Sequence, residues 1–214
     1  MFAVSHAFQT RITTALNLGY AFDLDKFGTQ PAPTLARFAE HLKETQGHWM
    51  HPLVLPVIFL ATHILRVESY LWHVIGPGVV AVKECIGVTK AGTSERQWLG
   101  MSGNQKELSH GRLFVDGKLH RGNAQRLTHT INDLSIWIIY TKRSPQWDIQ
   151  CANFLLQLIE SDHRLRNDNG TSAQLIQEAI HYIRNDSEAC LEQAETAEAQ
   201  MKLQLDIVSV VFYE

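Results

Sequence analysis

Between Ser172 and Glu214, small or apolar residues return at alternating steps of four and three: Ile176, Ile180, Ile183, Ser187, Cys190, Ala194, Ala197 and Met201. Such steps keep positions on one side of a 3.6-residue turn, and the stretch holds neither Gly nor Pro. It predicts one long helix with a single buried stripe. At about 1.5 Å of rise per residue, that helix extends roughly 65 Å. Its last residues, Val208 to Glu214, contain none of the usual closing signals, so the element is expected to continue past the end of the chain.

Upstream, the same periodicity places shorter helices. Thr34 can cap a helix in which Leu35, Phe38, Ala39 and Leu42 share a face until Gly47. The run His51-Pro52-Leu53-Val54-Leu55-Pro56 leads into an apolar helix ending near His73, with Leu55, Phe59, Leu60, Ile64 and Val67 on one face. Gly76-Pro77-Gly78 is expected to end it. Val79 to Val82 reads equally as buried strand or helix start. Ala91 to Lys106 reads as a surface loop, and Leu113-Phe114-Val115 before Asp116-Gly117 as a strand and turn. Thr10 to Leu24, around Gly19, fits a strand or a helix.

Leu127, Ile131, Leu134 and Ile138 mark a helix over Gly122 to Thr141, with Trp137 and Tyr140 widening its apolar face. Ser144-Pro145 is expected to open another, because Ser caps and Pro suits the first helical turn. Its stripe is read as Trp147, Cys151, Phe154, Leu155, Leu158 and Ile159, and Asn167 to Gly170 as the turn that ends it. Thr171 or Ser172 then caps the long helix. The expected architecture is mainly α with a minor strand component: a helical domain over 1–170 and a stalk-like helix over 171–214.

Composition narrows the partners. The 214 residues are 45% hydrophobic and 19% charged, enough for one globular core, and carry a net charge of −3. Basic residues are scattered, so neither nucleic acid nor an anionic lipid surface is an expected partner. Cys85, Cys151 and Cys190 are widely spaced and odd in number, which suits buried thiols in a reducing compartment. The N-terminus has no secretory pattern. The most apolar window, Leu53 to Ala61, is short of the roughly 20 residues of a membrane span, so the chain alone is expected to be soluble and intracellular.

Candidate chemistry is sparse. His48 with His51, or His48 with His41, places two imidazoles within helical reach of one metal. The nearby Glu40 and Glu44 read as helix-surface residues, however, and Pro52 interrupts the element, so surface or capping histidines are the plainer reading. Nucleophile-elbow, zinc-protease and phosphate-loop patterns are absent, and no enzymatic activity is expected. Asn169-Gly170-Thr171 and Asn185-Asp186-Ser187 match the glycosylation pattern without a secretory signal beside them. Glu188, Glu192, Glu195 and Glu198 recur at steps of three and four, reading first as a solvated face and second as a weak divalent-cation site, with Glu188, Glu192 and Glu195 as candidate ligands.

The run His51 to Pro56, the helices around Leu134 to Thr141 and Trp147 to Leu165, and above all Ala197-Glu198-Ala199-Gln200-Met201-Lys202-Leu203-Gln204-Leu205-Asp206-Ile207-Val208 resemble the soluble region of fungal CorA-like divalent-cation transporters. The likeness is strongest in the last forty or so residues. It implies an α/β cytoplasmic region feeding a stalk helix that continues into a membrane span, with subunits assembling around a pore. It further implies homo-oligomer partners through the long helix, a place on the cytoplasmic face of a membrane reached through a missing C-terminal segment, and Mg2+ as a regulatory ion. The family's Gly-Met-Asn signature is absent, and Gly100-Met101-Ser102-Gly103-Asn104 only echoes it. The resemblance transfers no sensing residue. The alternative is a stand-alone helical interaction module of a multidomain protein, using the long helix as its docking face.

Overall fold

In the computed structural model, the C-terminal periodicity is realised as one 44-residue helix, α6, over Gly170–Tyr213. Ala173, Ile176, Ile180, Ile183, Ser187, Cys190, Ala194, Met201, Gln204 and Val208 are all buried along it, while Ala197 is half-buried. The described residues are 2–7, 9–10, 12–17, 32–86, 114–115, 118–119, 121–167 and 170–213. The fold is mainly α. Before α6 come α1 (Ala32–Glu44), α2 (Val54–Tyr70), α3 (Gly76–Ile86), α4 (Arg121–Ser161) and the short α5 (His163–Asn167).

The minor strand component is two hairpins. Strands β1 (Phe2–Ala7) and β2 (Ile12–Asn17) pair antiparallel, with Phe2 opposite Asn17 and Ala7 opposite Ile12. The second half of the ambiguous Thr10 to Leu24 stretch, residues 18–24, lies outside the described residues. Strands β3 (Phe114–Val115) and β4 (Lys118–Leu119) pair antiparallel, so the expected strand is present at Phe114 and Val115; Leu113 and the expected turn at Asp116-Gly117 lie outside the described residues. The expected loop from Ala91 to Lys106 also lies outside the described residues.

Two expected helix ends do not occur. A π turn over Leu71–Ile75 joins α2 to α3, and Gly76 N–H donates to the Leu71 carbonyl five residues back. Inside a regular α-helix, Pro77 would clash with the carbonyl four residues earlier and forfeit a hydrogen bond. The wider turn moves the pairing by one residue just before Pro77, so the helix resumes. Gly78 then serves close packing: a Cβ there would lie 2.9 Å from Leu134 Cδ1. Val79, Val80, Ala81 and Val82 are buried helix residues. Helix runs on through the Gly-Pro-Gly, so the stretch Val54–Lys83 is long and apolar enough to cross a membrane by length and composition, with half of its most apolar window buried inside the protein.

Likewise, Ser144-Pro145 opens no new helix, because α4 passes through it unbroken for 41 residues. An interior Pro costs a helix about 3 kcal/mol. What offsets that cost is a buried stripe that continues in step on both sides: Ile138, Thr141, Pro145, Asp148, Ala152, Leu155 and Ile159. Of the stripe read from sequence, Leu155 and Ile159 are buried and Cys151 and Leu158 half-buried, whereas the aromatic members lie off the line. Trp147 and Phe154 are exposed at 46% and 60%, and Trp137 and Tyr140 are exposed as well. Each lies off the buried line because angle around the helix, and not the hydrophobicity of the side chain, decides which residues face the core.

Contacts divide the chain into two units, Met1–Arg66 with Pro145–Ala189, and Val67–Ser144 with Cys190–Glu214. In the first, the core comprises Leu53 just before α2, Val57, Ile58, Leu60 and Ile64 of α2, Leu155, Leu156 and Ile159 from α4, and Ile176, Ile180 and Ile183 from α6. Phe38 of α1 packs against Phe59 with the rings tilted and their centroids 4.7 Å apart. In the second, Leu71, Ile75, Val79, Val82, Leu127, Ile131, Ile138 and Met201 form the core. Tyr70 and Trp137 meet there at 6.1 Å between ring centroids.

Candidate functional site

The strongest concentration of polar chemistry lies within the first unit, where α2 presents His63 to Asp148 of α4. His63 Nδ1 lies 2.8 and 2.9 Å from the two carboxylate oxygens. Asp148 is fully buried, whereas the His63 side chain is 31% exposed. Burial pushes the Asp148 carboxyl above its ordinary value, and the hydrogen bond and charge of His63 pull it back down. Trp147 meets the His63 ring edge-on at 5.5 Å.

With the Nδ1 proton directed at a carboxylate, the imidazole is held in one tautomer and its Nε2 is left to accept a proton. A nucleophile would complete a catalytic arrangement, yet the nearby Cys151 is unsuited to that role. Burial first, and the Asp148 charge second, push its thiol up to about 11. The pair is best described as a buried polar tie between two helices.

Two more histidines make similar ties. Thr171 and Ser172, the expected caps of α6, lie inside its first turn, and the Ser172 hydroxyl is instead 2.8 Å from His48 Nδ1. His51 is 3% exposed, so it is a core residue rather than a surface one. Its Nδ1 accepts the Leu53 N–H at 3.2 Å, which places the remaining proton on Nε2, and Nε2 donates to the Leu165 carbonyl at 3.2 Å. Both ring nitrogens of His51 are thus engaged with backbone. His41 is half-buried, and Glu40 and Glu44 are exposed.

The acidic face of α6 is partly neutralised by basic neighbours. Lys142 Nζ reaches Glu198 at 2.8 Å and Glu195 at 3.5 Å, and its hydrogen bond to Glu198 raises the ammonium above its ordinary value. Glu188 pairs with Arg184 at 3.5 Å one turn away, and Glu192 is exposed. Among the described residues no group of three or more His, Cys, Asp or Glu is arranged to hold a metal ion. None of the three cysteines forms a disulfide; Cys190 is buried, and Cys85 and Cys151 are half-buried.

Asp148 escaped the reading from sequence because the helix was broken at Pro145. Once the three-and-four spacing is carried through that residue, Asp148 falls on the buried line. A carboxylate there signals a partner. No family model, curated protein sequence or solved structure matches the chain.

Proposed function

We propose that this chain is a cytoplasmic regulatory and stalk region of a CorA-like divalent-cation transporter, with no transport activity of its own. The single observation that supports the reading is α6, whose buried stripe runs in step from Ala173 to Val208 without a Gly or Pro. A stiff, continuous helix of that kind suits an element that links a soluble domain to a pore. In this reading Mg2+ is the regulatory ion and neighbouring subunits pack along α6. Glu188, Glu192 and Glu195 remain candidate ligands only where a second subunit adds donors, since a carboxylate face on one helix is an incomplete shell for a hard cation.

The test is fractionation of the native gene product, followed by alkaline carbonate extraction of the membrane pellet. Retention in the pellet is the expected result. Complete release into the soluble fraction overturns the transporter reading. It would favour the alternative of a helical interaction module, for which the exposed apolar residues Ile136, Ile139 and Tyr140 of α4 speak.

A further inference from the structure

The outer face of α4 within the second unit carries the sequence Asp133, Ile136, Tyr140, Arg143, again at steps of three, four and three. Its inner face is Ile131, Leu134 and Ile138, all buried. Ile136 and Tyr140 each lie two residues from Ile138, about 200° around a helix of 3.6 residues per turn, and so point away from the core. Ile136 is 50% exposed and Tyr140 56%, with Ile139 beside them at 44%. Asp133 and Arg143 are exposed and make no ion pair among the described residues. The Arg143 guanidinium lies 5.9 Å from the centre of the Tyr140 ring, within cation–π range.

This row is complementary to itself when reversed. Positions 133 and 143 are equally distant from 138, and so are 136 and 140. If two copies of α4 lie antiparallel across a two-fold axis at Ile138, Asp133 of each faces Arg143 of the other, and Ile136 of each faces Tyr140 of the other. Two apolar pairs then fill the centre and two opposite-charge pairs close the ends. That is the pattern of an isologous interface, in which one patch meets its own copy. A parallel arrangement would instead set like residue against like and put each charge beside its equal.

We propose that α4 is a dimerisation surface whose occupant is the same face of a second copy of this chain, and this holds whether or not the transporter reading stands. The charges set the register and orientation, and the Ile and Tyr side chains supply the apolar contact.

The experiment is sedimentation velocity and light scattering on the full chain, with circular dichroism to check that each variant is folded. Wild type is expected to dimerise with concentration. Asp133→Arg and Arg143→Asp each place two like-charge pairs in the homodimer, and each is expected to weaken it at least about tenfold. An equimolar mixture of the two variants regains both opposite-charge pairs in the heterodimer and is expected to associate as wild type does. A chain that stays monomeric up to its solubility limit overturns the proposal. So does a dimer indifferent to both reversals, which would use another face, or a mixture that fails to recover. An Ile136→Asp variant that still dimerises would overturn it as well.

Discussion

Replacing His63 by Ala removes the only side chain seen to hydrogen-bond Asp148 among the described residues and leaves a fully buried carboxyl without its donor. Breaking a buried pair from one side typically costs about 3–5 kcal/mol. Water reaches the partly exposed His63, which favours the lower end, so a loss of about 3 kcal/mol at pH 7 is expected. A second, cleaner quantity comes from Asp148→Asn in the His63→Ala background. The orphaned carboxyl can escape the burial of its charge by taking up a proton. Holding that proton costs about 1.4 kcal/mol for each pH unit above an ordinary carboxylate value near 3.9. The folded-state value of this group is raised, so its penalty is absent below the ordinary value and grows as pH rises toward the folded one. Asn is neutral throughout. The second substitution should therefore restore more at pH 7 than at pH 5, with ceilings of about 4 and about 1.5 kcal/mol respectively. Urea unfolding followed by circular dichroism at the two pH values measures both. A rescue of the same size at pH 5 and pH 7, or a His63→Ala loss below about 1 kcal/mol, would refute the argument.

Three further outcomes are expected. Gly78→Val should lower stability by about 2 kcal/mol in thermal or urea unfolding, because its branches meet Leu134 where even a Cβ is 2.9 Å from Cδ1. Leu134→Ala in the same chain should recover part of that loss. Ile180→Ala, at a position with no exposure, should cost about 2–5 kcal/mol, whereas Tyr182→Ala, 72% exposed on the same helix, should stay within about 0.5 kcal/mol; equal effects would undo the assigned face of α6. Cys151, its thiol pushed up to about 11, should react with iodoacetamide at pH 8 far more slowly than in the urea-unfolded chain, and peptide mass spectrometry would show the contrast.

The buried faces were legible where aliphatic residues repeat at alternating steps of four and three. Ile176, Ile180 and Ile183 on α6, and Leu127, Ile131, Leu134 and Ile138 on α4, needed only periodicity. What sequence could not show was continuation. Pro77 and Pro145 are both compatible with starting a helix, and the local chain alone carries no record that a π turn precedes one and that a buried stripe crosses the other. The consequence for the candidate site was direct, since Asp148 stands on the core line only if α4 is unbroken. Aromatic residues misled for a related reason. Trp147 lies two positions from buried Pro145, and Phe154 two from buried Ala152, so both face outward despite their large apolar surfaces. The histidines were visible as residues but not as ties, because His48, His51 and His63 find partners more than eighty positions away.

The three long helical runs also differ in kind, and the difference bears on what each can do. The run from α2 to α3 contains a π turn and Gly76-Pro77-Gly78, and α4 contains Pro145, so each includes a place where backbone pairing is altered. Helix α6 contains neither Gly nor Pro after Gly170. Its buried stripe changes from Ile to Ser187, Cys190 and Ala194 at mid-length and then returns to Met201 and Val208. Small residues at a buried helix position let a neighbouring backbone approach closely, so the stripe narrows without being interrupted. Any displacement along these elements would be taken up first at Leu71 to Gly78 and around Pro145, where a hydrogen bond is already missing or shifted. In α6 it would meet a continuous ladder. A helix with that stiffness is suited to carrying a movement over its whole length, and this is the physical content of the stalk role proposed for it.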